Sequence, residues 1–161
     1  MRNMTNIRLA TAALLLILPG LAFSPSLVKA DGNPSASGHG TVVDGDTVRF
    51  ISFNAVQHDD GTVTGQAELQ NFNQEIRVHL ELDCLKINGN AAVMSGIITE
   101  SSNADVIGLR GVFRAQDNGE GEGEETDPDR LSRLTIGGPD CNTQLPLGGA
   151  PIFRGNIQVR P

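Results

Sequence analysis

The chain has 161 residues, with 12 Lys and Arg against 19 Asp and Glu, two cysteines, and neither Trp nor Tyr. That acidic balance repels phosphate backbones and argues against nucleic acid as a partner. The missing Trp and Tyr remove the usual stacking platforms for sugars and bases, and the length suits one core rather than two.

Residues 1–30 read as a signal peptide, with Arg2 and Arg8 in front, the apolar run Leu9 to Leu18, and Val28-Lys29-Ala30 before the cut. Export to a secreted, periplasmic or extracellular location is expected. The apolar run falls short of the about 20 residues of a membrane span, so no stable membrane insertion is expected after cleavage. Cleavage removes Arg2, Arg8 and Lys29 and no acid, leaving nine basic side chains against nineteen acidic ones, a formal charge of −10.

Residues 31–40 are Gly, Ser, Asn, Asp and Pro with little apolar content, and read as a flexible leader to a single β domain over 41–161. A short strand over Thr41 to Val43 precedes the turn Asp44-Gly45-Asp46. Val48 to Val56 follows with Phe50 and Phe53, then the turn Asp59-Asp60-Gly61-Thr62. In Thr62 to Gln70, Val63, Gly65, Ala67 and Leu69 face one way, the alternation of a half-buried strand.

The central stretch, Glu75 to Glu100, predicts a hairpin. Ile76, Val78, Leu80, Leu82 and Cys84 alternate with Arg77, His79, Glu81 and Asp83. Leu85 and Ile87 break the phase, which calls for a bulge near Cys84-Leu85 or for cover on both faces; the bulge is favoured. Asn88-Gly89 is a strong hairpin signal, and Ala91 to Thr99 returns. Val106 to Ala115 carries an inner set of Ile107, Leu109, Gly111, Phe113 and Ala115. Leu131 to Ile136 is a shorter candidate, and Phe153, Gly155, Ile157 and Val159 alternate through a last strand.

About eight strands and no amphipathic helix predict an all-β fold, a single antiparallel β-barrel, with a β-sandwich as the alternative. Glycines on the inner faces (Gly65, Gly96, Gly111, Gly155) favour the barrel, where strands bend sharply or pack closely. Two cysteines in an oxidising space predict a Cys84–Cys141 disulfide, whose long loop contributes about 4 kcal/mol by chain entropy.

The stretch from Asp117 to Asp129 holds seven carboxylates in thirteen residues. Asp117, Glu120, Asp127 and Asp129 are candidate ligands for a hard cation such as Ca2+, although the spacing departs from the EF-hand loop. A solvated acidic turn is the simpler reading, and no other cofactor is expected.

His58 beside Asp59 and Asp60 could orient a general base, but the Asp-Gly turn already accounts for the carboxylates. Glu81 and Asp83 share a strand face at a spacing that suggests paired carboxylates, and outward charge explains them more simply. His39 falls in the leader and His79 among the polar residues of its strand. No nucleophile elbow, HExxH or phosphate-binding loop is present, so no catalytic residue is assigned. Phe50 or Phe53, Leu80, Leu109, Phe113 and Ile157 are candidates to line an apolar cavity, or simply to fill the core.

The strings Phe50-Ile51-Ser52-Phe53-Asn54-Ala55-Val56, Asp60-Gly61-Thr62-Val63-Thr64-Gly65, Cys84-Leu85-Lys86-Ile87-Asn88-Gly89-Asn90-Ala91, Gly96-Ile97-Ile98-Thr99, Asp117-Asn118-Gly119-Glu120-Gly121 and Gly155-Asn156-Ile157-Gln158-Val159 form a set. As a set the chain resembles a group of small exported bacterial proteins of unknown function. That resemblance implies a secreted all-β domain and supplies no activity, ligand or site residue. The functional expectation is a non-catalytic structural or binding module, with a protein or small-molecule partner. The alternative is a barrel carrier or enzyme for a small apolar molecule.

Overall fold

A computed structural model describes residues 32–119, 127–143 and 147–161. The expected signal peptide and Glu120 lie outside the described residues. Ten strands follow in chain order: β1 (Ser35–Asp44), β2 (Thr47–Gln57), β3 (Val63–Asn71), β4 (Ile76–Asn88), β5 (Ala91–Ser101), β6 (Arg110–Gln116), β7 (Arg130–Ser132), β8 (Thr135–Ile136), β9 (Gly149–Pro151) and β10 (Arg154–Arg160). They form one antiparallel sheet in the order β10-β1-β2-β3-β4-β5-β6-β7-β9, with β8 beside β6, and the sheet curls into a half-barrel. Among the described residues no helix is long and apolar enough to cross a membrane.

Alternation fixes which side of each strand faces the core. Ile51, Phe53 and Ala55 of β2, Val78, Leu80 and Leu82 of β4, and Phe113 and Ala115 of β6 are all buried. They pack with Met94, Ile98, Leu131 and Ile157 into one cluster. Phe53 and Phe113 meet edge to face with ring centroids 5.6 Å apart.

The phase break in the central hairpin is a bulge, with the β4 to β5 register shifting between Leu82 and Cys84, one residue earlier than the sequence suggests. Asp83 is the extra residue, and Leu85 returns to the core. Gly96 lies opposite Leu82, where an added Cβ would sit 2.7 Å from the Leu82 Cα. Only glycine lets the two backbones approach so closely there. The hairpin loop proves to be Gly89-Asn90 rather than Asn88-Gly89, since Asn88 still pairs with Ala91. Of these two residues only Gly89 has positive φ (59°), the glycine-first arrangement of a type II′ turn.

Other expectations require correction. The leader over 31–40 is strand from Ser35 on: β1 lies between β2 and β10, so its backbone groups are paired on both sides despite its small, polar side chains. Val106 to Ala115 is not one strand. A 3-10 turn over Ala104–Val106, capped by the Asn103 side chain, and Gly108 at φ 84° delay β6 to Arg110. Ile107 and Leu109 are consequently exposed. Leu131 to Ile136 divides into β7 and β8, and at the break the Ser132 hydroxyl accepts the Arg114 amide (2.8 Å) in place of a ladder carbonyl. Phe153 precedes β10 and is exposed. The edge strand β9, absent from the sequence reading, ends at Pro151, where a residue without an N–H is tolerated.

The disulfide joins Cys84 to Cys141 with Cα atoms 5.8 Å apart. It fastens the segment after β8 to the bulge of β4. Ser95, fully buried, accepts from the Cys141 amide (3.0 Å) and from Arg110 (3.2 Å), and Arg110 forms a two-pronged pair with Asp83 at 2.5 and 2.7 Å.

Candidate functional site

The two ends of the half-barrel are chemically different. One end carries the β2–β3, β4–β5 and β6–β7 connections, with Asp59, Asp60, Asp117, Asp127 and Asp129; the other carries the β1–β2, β3–β4 and β5–β6 connections, with Asp44, Asp46, Glu75 and Asp105.

At the first of these ends the Asp117 and Asp129 carboxylates serve the backbone. Asp129 is buried; its Oδ1 accepts the Asn118 amide (2.8 Å) and its Oδ2 the Ile157 amide (2.8 Å). Asp117 accepts the Gly119 amide through Oδ1 (2.9 Å) and the Val159 amide through Oδ2 (3.0 Å). Ile157 and Val159 belong to β10, whose single ladder partner among the described residues is β1. Asp117 and Asp129 therefore occupy the amides that an edge strand leaves open, and they link β10 to the ends of β6 and β7. Of the four candidate calcium ligands, these two are engaged by the Ile157 and Val159 amides of β10, Asp127 stands exposed at 3.8 Å from Arg130, and Glu120 lies outside the described residues. Among the described residues no group of three or more His, Cys, Asp or Glu is arranged to hold a metal ion.

The candidate catalytic residues are not all brought together. Asp60 caps its own turn, accepting from the Thr62 amide (2.9 Å) and hydroxyl (2.6 Å). These bonds hold its carboxyl below the ordinary range. His58 Nε2 meets the Thr64 hydroxyl at 2.7 Å instead. Asp83 and Glu81 border one open cleft with His79, but Asp83 is held there by Arg110. One alignment escaped the sequence reading: His39, Ser52, Glu68 and His79 stand directly opposite one another on β1 to β4. Glu68, however, accepts from Gln70 (2.8 Å) and Arg77 (2.9 Å), which lower its pKa. No serine–histidine–carboxylate relay is assembled among these four residues.

The candidate cavity residues also separate. Phe53, Leu80, Phe113 and Ile157 are packed against one another in the core. Leu109 is 43% exposed, displaced by the turn before β6. Phe50 lies on the opposite face from Phe53, three residues away in a period-two strand, with the His39 ring 6.4 Å off.

The other end gathers the exposed apolar side chains. Of seven large hydrophobic residues exposed among the described residues, six belong to it: Val43, Phe72, Ile76, Ile107, Leu109 and Ile136. Within this rim Arg49 follows the inward phase of Ile51, Phe53 and Ala55, and its side chain is only 14% exposed. Arg133, at the β7–β8 break, reaches across to the Asp44 carboxylate and forms a close ion pair with it. The same Asp44 oxygen lies 3.5 Å from Arg49. The Arg133 hydrogen bond holds the Asp44 carboxyl below its usual range, while burial and the neighbouring Arg133 charge lower the Arg49 pKa.

Two pockets flank this cluster, and Arg49 and Arg133 line both. One, of about 290 Å³, is bordered by Asp44, Ser132, Thr135 and Gly148. The other, of about 280 Å³, is bordered by Leu69, Ile76, Val78, Leu134 and Ile136. The sequence reading missed this site because Asp44 and Arg133 are 89 residues apart. One signal was available: an arginine in the inward phase of an otherwise apolar strand.

Compared with protein-family models, curated proteins and solved structures, the chain matches none.

Proposed function

We propose that this chain is an exported, non-catalytic binding module built on a packed half-barrel, and that the arginine-bearing end with the apolar rim is its working face. The observation that carries the reading is the segregation of six exposed large apolar side chains to one end of the sheet. Scattered exposed hydrophobic residues need no explanation, whereas a cluster of them marks a surface that meets something else. The packed interior argues against a carrier with its ligand inside the barrel. Asp60, Glu68, Asp83, Asp117 and Asp129 are engaged with turns, strand edges and arginines, which argues against their serving as catalytic groups.

The test is retention of the protein on envelope material from the cells that export it. The triple variant Phe72→Ser, Ile107→Ser, Leu109→Ser is expected to lose retention. A control at the other end, Asp59→Asn, is expected to keep it. Retention of the triple variant at the level of the unaltered protein would overturn the reading.

A further inference from the structure

We propose that the working end holds a binding site for a small amphipathic carboxylate, its anionic head on Arg49 and Arg133 and its apolar body against Leu69, Ile76, Leu134 and Ile136. The inference rests on the reading above and adds the chemistry of the ligand.

Charge is the first argument. Two guanidiniums converge on one carboxylate, and a single oxygen of Asp44 takes the contacts from both. Each guanidinium carries five N–H donors in a planar fork, so Asp44 engages only part of the pair's capacity. One positive charge in the cluster has no counterpart within it, in a chain whose overall charge is −7. Arg49 is the shielded member of the pair and Arg133, 73% exposed, the accessible one; together they favour an anion that can be gripped by two prongs, and a carboxylate has that shape.

Shape is the second argument. The same two arginines border both pockets, and each pocket mixes polar with apolar walls, Leu131 and Leu147 beside Asp44 in one, Leu134 and Ile136 beside Gln70 and Gln74 in the other. A neutral apolar molecule would leave the guanidiniums unused, and a bare inorganic anion would leave the apolar wall wet. A molecule with a carboxylate at one end and a hydrocarbon body at the other satisfies both. Asp44 then acts as the internal competitor, holding the arginines in place until the ligand's head group shares them.

The experiment is calorimetric titration of the intact protein with decanoate, kept below the concentration at which it self-associates. Acetate and a decyl ammonium salt serve as comparators. Saturable one-to-one binding of decanoate is expected, with acetate much weaker and the cation without measurable binding. Arg49→Gln and Arg133→Gln should each weaken decanoate binding about tenfold, the usual consequence of losing a charge-assisted hydrogen bond. Asp44→Asn should tighten it several-fold by removing the competitor, a gain that neither a purely structural Asp44 nor simple partition into an apolar patch would give. Should Arg49→Gln fail to fold, judged by far-UV circular dichroism, the Asp44→Asn result decides the question.

Equal binding of decanoate and the decyl cation would overturn the inference. Unchanged or weaker binding in Asp44→Asn would do the same, as would binding confined to vesicles of anionic phospholipid. Absence of decanoate binding, with envelope retention still abolished in the Phe72, Ile107 and Leu109 triple variant, refutes the ligand and leaves the working face standing. Decanoate binding with retention indifferent to those substitutions refutes the reading of the face and supports the site.

Discussion

Both ends of the half-barrel place acidic side chains among nitrogen donors, yet the donors differ in kind. Asp117 and Asp129 accept from backbone amides of β10 and of the adjoining loop. Asp44 accepts from two arginine side chains that stand beside open pockets. A backbone amide cannot move away without unfolding its strand, so the first arrangement is structural. A guanidinium on a long stem can exchange one carboxylate for another, so the second can recognise a ligand.

The largest effect is expected from the disulfide, which belongs to neither end. Replacing Cys84 and Cys141 together by serine should cost about 4 kcal/mol, from the entropy of a loop whose ends are 57 residues apart. Urea denaturation checks the size, and binding at the arginine end should survive wherever the variant remains folded. Next comes the structural end. Asp129→Ala leaves the Asn118 and Ile157 amides without their acceptor and should cost roughly 2–4 kcal/mol. The accompanying sign is faster hydrogen exchange at Ile157, read by NMR. If Asp129→Ala left stability unchanged, the carboxylate would not be holding the sheet edges together.

A smaller effect is expected from pH at the arginine end. The folded pKa of Asp44 lies below its unfolded value, so its ionised form is favoured by folding. Its contribution is present above about pH 4, the unfolded carboxylate value, and is lost as pH falls through the lower folded value. Asp60 and Glu68 titrate in the same direction. The melting temperature should therefore fall with acidification below about pH 4, and Asp44→Asn should flatten that slope. The effect should shrink in high salt, because the groups are near solvent. Smallest of all, Phe72→Ser should shift stability by no more than about 0.5 kcal/mol, since an exposed side chain loses little on truncation.

The scaffold was largely legible in the sequence because period-two alternation and Asp-Gly or Asn-Gly turns are local signals. β2, β3, β4 and a bulge near Cys84 follow from them, with the bulge itself one residue earlier, at Asp83, and the paired cysteines follow from the count and the expectation of export. Where local composition and sheet position conflict, the sequence misleads. Ser35 to Gly40 looks like a leader, but neighbouring strands on both sides supply the pairing that its side chains do not advertise. Leu109 fits an inward alternation that the turn at Ala104–Val106 interrupts. The acidic loop drew attention through composition alone, and the roles of Asp117 and Asp129 depend on β10, about 30 to 40 residues further along the chain. The arginine cluster is hidden for the same reason, since it forms only when the curled sheet carries Arg133 across to β1.

The most direct measurement of the division between a structural end and a working end is an amide-resolved NMR titration of the intact protein with decanoate. The expected result is a set of shifts confined to Arg49, Leu69, Ile76 and the 133–136 segment, with Phe53, Phe113, Ile157 and Val159 unmoved. Shifts centred on the packed interior or on the Asp117 and Asp129 end would contradict it.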